Sequence, residues 1–213
     1  MIKIENVEVL GWEHAIRGMR NPLNSWHKSD SDYSFKAPDG TPCIGGNDLK
    51  LMTTLRDAGT DHRKFMRMIT VYADITAPLY WWKEFDTYKV GTVANSCSTM
   101  HKIHAKEFTI DDFSHEHLLE QDEKALNYIV DYLNINRRSY LDTKDKTYWW
   151  QMIQLLPSSY NQKRTVMMNY EVLANIYKSR KNHKLDEWRS LCDWIETLPY
   201  GELITGEYNG DTV

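Results

Sequence analysis

The sequence predicts an α+β protein, a central sheet packed with several helices, and three observations carry that prediction. Short runs that alternate apolar and polar residues lie at the start and in the middle of the chain, the mark of half-buried strands. Stretches with apolar residues three and four apart recur around them, the mark of amphipathic helices. The length of 213 residues, 41% of them hydrophobic and 26% charged, is that of a globular chain able to bury most of its unfolded surface.

Taken in order, residues 2–10 place Ile2, Ile4, Val7 and Val9 in alternation with a phase slip near Asn6, which predicts a strand with a bulge. Trp12, Ala15, Ile16 and Met19 then share one side of a short helix. Residues 21–46 are rich in Asn, Pro, Ser, Asp and Gly and predict a long loop, either a surface flap or a functional segment. Asn47 is the expected cap of a helix to Asp57, and Gly59 its left-handed stop. Residues 65–75 predict a strand covered on both sides, with a helix as the alternative. Pro78 opens an aromatic helix through Tyr88. Residues 90–113 mix polar turns with β-prone runs such as 107–110. Helices are expected over 118–133, with Leu119, Ala125, Tyr128, Ile129 and Tyr132 inward, and over 147–156, 165–178 and 186–197. A single domain follows: residues 1–20 as strand and helix, 21–46 as loop, 47–198 as core and 199–213 as a flexible tail.

The net charge of −4 and pI of about 6.1 argue against a nucleic-acid partner. Three cysteines without a CxxC pair point to a reducing, cytoplasmic setting. Neither a signal-peptide pattern at Met1-Ile2-Lys3-Ile4-Glu5 nor an apolar run of about 18 residues is present, so no membrane is expected. Dinucleotide, P-loop, GxSxG and HExxH motifs are absent. Eight Trp and 13 Tyr build a core first, and they also supply ring-stacking surfaces.

Several groups carry candidate chemistry. Lys178, Arg180, Lys181 and Lys184 are either a basic helix end that complements the macrodipole or an anion contact. Asn95 and Ser98 offer amide and hydroxyl groups suited to uracil or phosphate, or form an ordinary turn. Cys97 between them reads as a small buried side chain, with a reactive thiol as the alternative. His101, His104, His115 and His117, with Asp111, Asp112 or Glu116, suggest a metal site, although their spacing matches no specific motif.

Residues 45–195 also resemble the flavin-dependent thymidylate synthases. Gly59-Thr60-Asp61-His62 resembles that family's Gly-His turn, and Phe65-Met66-Arg67-Met68-Ile69 its strand. Trp81-Trp82 stands where the family has a Gln-hydrophobic pair, and Asn95-Ser96-Cys97-Ser98 resembles its Asn-Glu-x-Ser ending. Beyond Leu156-Pro157, a long helix with Lys178 and Arg180 near its end, then His183 and Asp186-Glu187, resembles the family's second signature. The departure lies at Lys83-Glu84-Phe85-Asp86, where the family's cationic Arg-His-Arg keeps only Lys83, and carboxylates repel the phosphates those cations would hold.

The resemblance implies reductive methylation of dUMP to dTMP, with FAD, NADPH and methylenetetrahydrofolate, in a homotetramer. It assigns Arg180 and Ser98 to catalysis, His62, Trp82, Lys83 and Asn95 to the cofactor, and Lys178, Asn95, Ser98 and Arg180 to the nucleotide, with no metal. Two alternatives stand beside it. One is a nucleotide- or ligand-binding homologue that has lost flavin, and the other is a metal-dependent enzyme built on the histidine cluster.

Overall fold

A computed structural model describes residues 2–37 and 40–206. The chain is mixed helix and sheet, with a central antiparallel sheet built of β1 (Lys3–Leu10), β4 (Thr70–Pro78), β6 (Asn161–Asn169) and β5 (Val93–Ser96) in that spatial order. A second, two-stranded sheet pairs β2 (Asp32–Lys36) antiparallel with β3 (Pro42–Cys43). Asn6, where a slip is expected in β1, takes a φ of 52°, a left-handed conformation that Asn tolerates.

The contacts divide the chain into two compact units where the sequence reads as one domain. The first holds Met1–Ile4, Asp74–Thr87 and Asn95–Thr165, and the second Glu5–Ala73, Tyr88–Ala94 and Val166–Val213.

The first unit contains α3 (Leu79–Phe85), α4 (Glu120–Thr143) and α5 (Lys146–Leu155). Its core joins Leu126, Val130 and Leu133 of α4 to Met152 of α5, and adds Ile103, Phe108 and Phe113. The β-prone run at 107–110 is not a strand. It is pinned to α4 by Asn134, whose side chain accepts from the Phe108 N–H at 2.9 Å and donates to its carbonyl at 2.8 Å. α4 therefore turns the opposite way from the expectation: Leu119, Ala125, Tyr128, Ile129 and Tyr132 face out, with Tyr128 75% exposed. The helix has two apolar stripes, and periodicity does not say which one its own core takes.

The second unit contains α1 (Trp12–Arg20), α2 (Gly46–Asp57), α6 (Tyr170–Arg180), α7 (Asp186–Glu196) and α8 (Glu202–Thr205). α1 buries the expected Trp12, Ala15, Ile16 and Met19, and α7 the expected Trp188, Leu191, Cys192 and Ile195. Residues 65–67 form a 3-10 turn (Arg63–Arg67) rather than strand, and β4 starts only at Thr70. Residues 165–169 belong to β6, so α6 begins at Tyr170, where Asn169 accepts from the Val172 N–H at 3.0 Å. Leu203 and Ile204 are buried, and Arg56 donates to the Glu202 carbonyl at 2.7 Å, so the expected free tail is held as far as Gly206. Residues 207–213 lie outside the described residues. Of the three free cysteines, Cys192 is buried, whereas Cys43 and Cys97 are exposed, against the buried place expected for Cys97.

Residues 29–31 of the expected loop are held by one buried carboxylate, Asp48 of α2. Its Oδ1 accepts from Arg20 Nε at 2.6 Å. Its Oδ2 accepts from the hydroxyls of Ser29 and Ser31, both at 2.7 Å, and from the backbone N–H groups of Asp30 and Ser31, both at 3.1 Å. The loop answers through Asp30, whose carboxylate accepts from the N–H groups of Asn47 at 2.9 Å and Asp48 at 3.1 Å. Asp30 thus supplies the cap that Asn47 was expected to give, from outside the helix, and satisfies orphan donors at its positive end. Gly45 permits this approach, because a Cβ there would stand 2.4 Å from the Asp30 carbonyl oxygen.

Burial alone would raise the pKa of Asp48, and the hydrogen bonds from Ser31, Ser29 and Arg20 reverse that, leaving the carboxyl below its ordinary 3.8. A lowered carboxylate stabilises the fold above its unfolded pKa, and that contribution is lost as pH falls through the folded value. Asp48→Asn, which leaves the buried Arg20 charge unpaired, is expected to lose about 3–5 kcal/mol near neutral pH. Chemical denaturation at neutral and acid pH checks this: the gap between wild type and variant narrows as the pH drops below the ordinary carboxylate range. A gap that does not change with pH contradicts the ionised hub.

Candidate functional site

In the second unit, the end of α6 holds Arg180 in an aromatic cradle. Its guanidinium carbon lies 4.7 Å from the Trp188 ring centre and 5.7 Å from that of Tyr88. Its Nε donates to Tyr88 Oη at 3.0 Å. The two rings meet edge-on at 5.9 Å, and Trp188 is fully buried from α7. The turn that follows is tied back, since the His183 N–H donates to the Arg180 carbonyl at 2.9 Å. His183 Nδ1 accepts from the Leu185 N–H at 3.2 Å, which directs the ring proton to Nε2 in the neutral tautomer. Stacking and a hydrogen bond together fix the plane of the guanidinium, a task for which lysine has no equivalent geometry. Lys178, two residues earlier on the helix, is exposed outside this cradle.

The other end of α6 is anchored as firmly. Glu171 accepts from Arg63 Nε at 3.1 Å and from both Nε and Nη2 of Arg67, the latter at 3.2 Å. Gly91 packs against the cap, where a Cβ would meet the Asn169 amide nitrogen at 2.7 Å, and its φ of 78° also favours glycine. Sequence spacing gave no hint of this clamp, because Glu171 and its two arginines lie in separate segments.

Also in the second unit, His62 is exposed at the start of the 3-10 turn and lines a cavity of about 990 Å³. Arg180 and Lys178 are not among the residues lining it.

The first unit holds the remaining candidates. Trp82 is buried. Its indole N–H donates to the Gln162 carbonyl at 2.9 Å, and the Arg164 guanidinium covers its ring at 4.2 Å. Arg164 also donates to Asp86 at 2.7 Å. One of the carboxylates in the departed motif therefore has a cation of its own from β6. Lys83 is exposed. Asn95 and Ser98 are exposed at and just after β5. Ser98 Oγ accepts from the N–H groups of Met100 at 3.2 Å and His101 at 2.9 Å, and lies 2.9 Å from His101 Nδ1. These contacts make Ser98 a turn-forming residue whose hydroxyl proton is directed at the imidazole when Nδ1 is bare.

The histidines do not converge. His101 pairs with Ser98, His115 Nδ1 lies 2.9 Å from the Phe113 carbonyl, and the His104 ring packs edge-on against Tyr140. Among the described residues, no group of three or more His, Cys, Asp or Glu side chains is placed to hold a metal ion. No described helix is long and apolar enough to cross a membrane.

No protein-family model matches the chain, and no curated protein sequence does. Solved structures do. Thymidylate synthase X (ThyX) from Helicobacter pylori, with FAD and dUMP, aligns at a TM-score of 0.68 and 16% identity, over 95% of this chain and 96% of that one. A second structure from the same organism, of flavin-dependent thymidylate synthase complexed with FAD and dUMP, gives 0.65 and 16%, over 93% and 96%. A UMP/dUMP methylase, PolB from Streptomyces cacaoi, bound with 5-Br dUMP, gives 0.58 and 12%, over 92% and 89%. Nearly the whole chain thus takes part in the likeness, and the α+β architecture read from the sequence is the one these proteins share: the chain has the fold of the flavin-dependent thymidylate synthases.

Proposed function

We infer that the protein is a thymidylate-synthase-like nucleotide methylase acting on dUMP or a similar pyrimidine nucleotide. The observation that carries this reading is the immobilised Arg180 in a fold whose solved relatives bind dUMP. Methylation at C5 of a uracil needs that carbon to become nucleophilic, so negative charge grows on the carbonyl edge of the ring. A guanidinium already locked in place stabilises that charge without reorganising during the reaction. Lys178, on the same helix, adds positive potential in this reading. The carbon donor is methylenetetrahydrofolate and the reductant NADPH.

The resemblance adds FAD, and α3 does not fit it. Trp82 has no ring face open to a flavin, Asp86 is paired with Arg164, and Lys83 alone supplies an exposed cation there. No step is therefore derived through the flavin from these residues. The same observation favours the second reading, a nucleotide-binding homologue without flavin chemistry. The visible spectrum of the purified protein, with excess FAD and dUMP, separates the two. A perturbed flavin band supports the methylase, and an unperturbed one leaves nucleotide binding alone.

Arg180→Ala is expected to lower dUMP-dependent turnover about 100-fold or more, as loss of one preorganised donor does elsewhere. Arg180→Lys recovers little of it, and Tyr88→Phe, which keeps the ring and removes the hydroxyl acceptor, costs less. Steady-state assays check the order, and an Arg180→Lys enzyme with full activity would sink the role.

The protein is further proposed to work as a homo-oligomer, a tetramer in the resembled family. The support is the outward stripe of Tyr128, Ile129, Tyr132 and Ile135 on α4, continued by Leu155 of α5. Exposed apolar rows of this extent mark contact surfaces. Tyr128→Glu with Tyr132→Glu is expected to shift the sedimentation coefficient to that of a monomer while the far-ultraviolet circular dichroism stays unchanged.

A further inference from the structure

In the second unit, α1 begins without a side-chain cap. The residue before it is Gly11, and no side chain bonds its first turn. The Ala15 N–H reaches the Gly11 carbonyl at 2.9 Å, whereas the N–H groups of Trp12, Glu13 and His14 lie ahead of any intrahelical acceptor. A helix end of this kind acts as roughly half a positive charge. A fourth donor belongs to the same residues. Trp12 is 4% exposed, and its indole Nε1 is buried with no hydrogen-bond partner among the described residues. The indoles of Trp82 and Trp149 each donate to a carbonyl, of Gln162 at 2.9 Å and of Met100 at 3.0 Å. The Trp12 ring instead meets Tyr170 and Tyr200 edge-on, each with centroids 5.3 Å away, and a π face is only a second-order acceptor. Buried donors are paired in the great majority of cases, so an empty one calls for an acceptor.

Residues 11–14 line a cavity of about 400 Å³, within the roughly 300–1,000 Å³ typical of ligand pockets. Val9 and Leu10 of β1 and Pro42 of β3 give it apolar walls. An open helix N-terminus beside an unpaired indole N–H suits an acceptor that carries negative charge. The walls suit an apolar body attached to it. Glu13 stands exposed in the same lining. Its carboxylate repels a dianion about twice as strongly as a monoanion, which selects a carboxylate over a phosphate.

We propose that this cavity binds a small apolar monocarboxylate, with its oxygens at the α1 N-terminus and the Trp12 indole and its body against Val9, Leu10 and Pro42. The proposal concerns binding alone. Arg180, Tyr88 and Trp188 are not among the residues lining the cavity, so the site does not depend on the methylase reading.

The test is calorimetric titration of the full chain with benzoate, benzamide and inorganic phosphate. Benzoate is expected to bind. Benzamide, which keeps the ring and loses the charge, binds about tenfold more weakly, and phosphate more weakly than benzoate. Trp12→Phe keeps an aromatic body, removes the N–H and is expected to weaken benzoate about tenfold. Leu10→Trp alters an exposed residue, narrows the cavity and should abolish binding. Arg180→Ala should leave benzoate affinity unchanged. If Trp12→Phe lowers the melting temperature, the wild-type protein decides. In its nitrogen–proton correlation spectrum, the indole signal that this variant lacks is expected to move with added benzoate, and those of the other tryptophans to stay. The proposal is overturned if benzoate does not bind or if benzamide or phosphate binds as well. It is equally overturned if Leu10→Trp or a stably folded Trp12→Phe leaves the affinity unchanged, if the Trp12 indole signal stays still, or if Arg180→Ala removes binding. Benzoate binding without dUMP turnover supports this site and removes the methylase reading. Turnover without benzoate binding does the reverse.

Discussion

Everything on the cavity side of the second unit depends on the burial of Asp48. An isolated carboxylate in that position would be prohibitively costly. It is tolerated because one arginine, two serine hydroxyls and two backbone N–H groups converge on it. The same contacts turn a polar, glycine-containing segment with little apolar material of its own into a fixed wall. Asp30 closes the loop of dependence, since the segment that Asp48 orders also caps the helix that carries Asp48. Neither half has a reason to be ordered without the other, so this corner should order and disorder cooperatively.

Arg180 and Trp82 show two uses of the same pairing. In each, a guanidinium covers a tryptophan ring. At Trp82 the ring is buried and Arg164 bridges it to Asp86, so the group stabilises packing. At Arg180 the cation closes a helix and the rings serve to hold it. In both, the tryptophan is buried and the arginine half-buried; they differ in that Arg164 donates to the Asp86 carboxylate and Arg180 to the Tyr88 hydroxyl.

Much of the fold was legible because local pattern and tertiary demand agreed. α1 and α7 each have a single apolar stripe, and each buries the one the sequence shows. The left-handed Gly59 follows from backbone sterics alone. α4 was read backwards because Tyr128 and Tyr132 belong to a second stripe as apolar as the Leu126–Val130–Leu133 row, and only contacts with α5 and residues 103–113 distinguish them. The helix expected over 165–178 merged β6 with α6 because Val166, Tyr170, Leu173 and Tyr177 fit a helical period across the junction at Asn169. The place of Arg180 at the end of a helix was visible. Tyr88 and Glu171 were not, since each acts through partners distant in sequence. Trp82 was visible but misleading, because an aromatic in a motif position looks the same whether it faces a ligand or a core.

The cysteines have a practical consequence. Burial lifts the Cys192 thiol to a pKa of about 11, and Asp193 and Glu196 push the same way, so it is almost wholly protonated and shielded near neutral pH. Cys97 and Cys43 are exposed, one in the first unit and one in the second. The unmodified chain therefore carries one addressable handle on each unit and a third that stays silent. Maleimide chemistry would therefore place a reporter on each unit with no engineered residue.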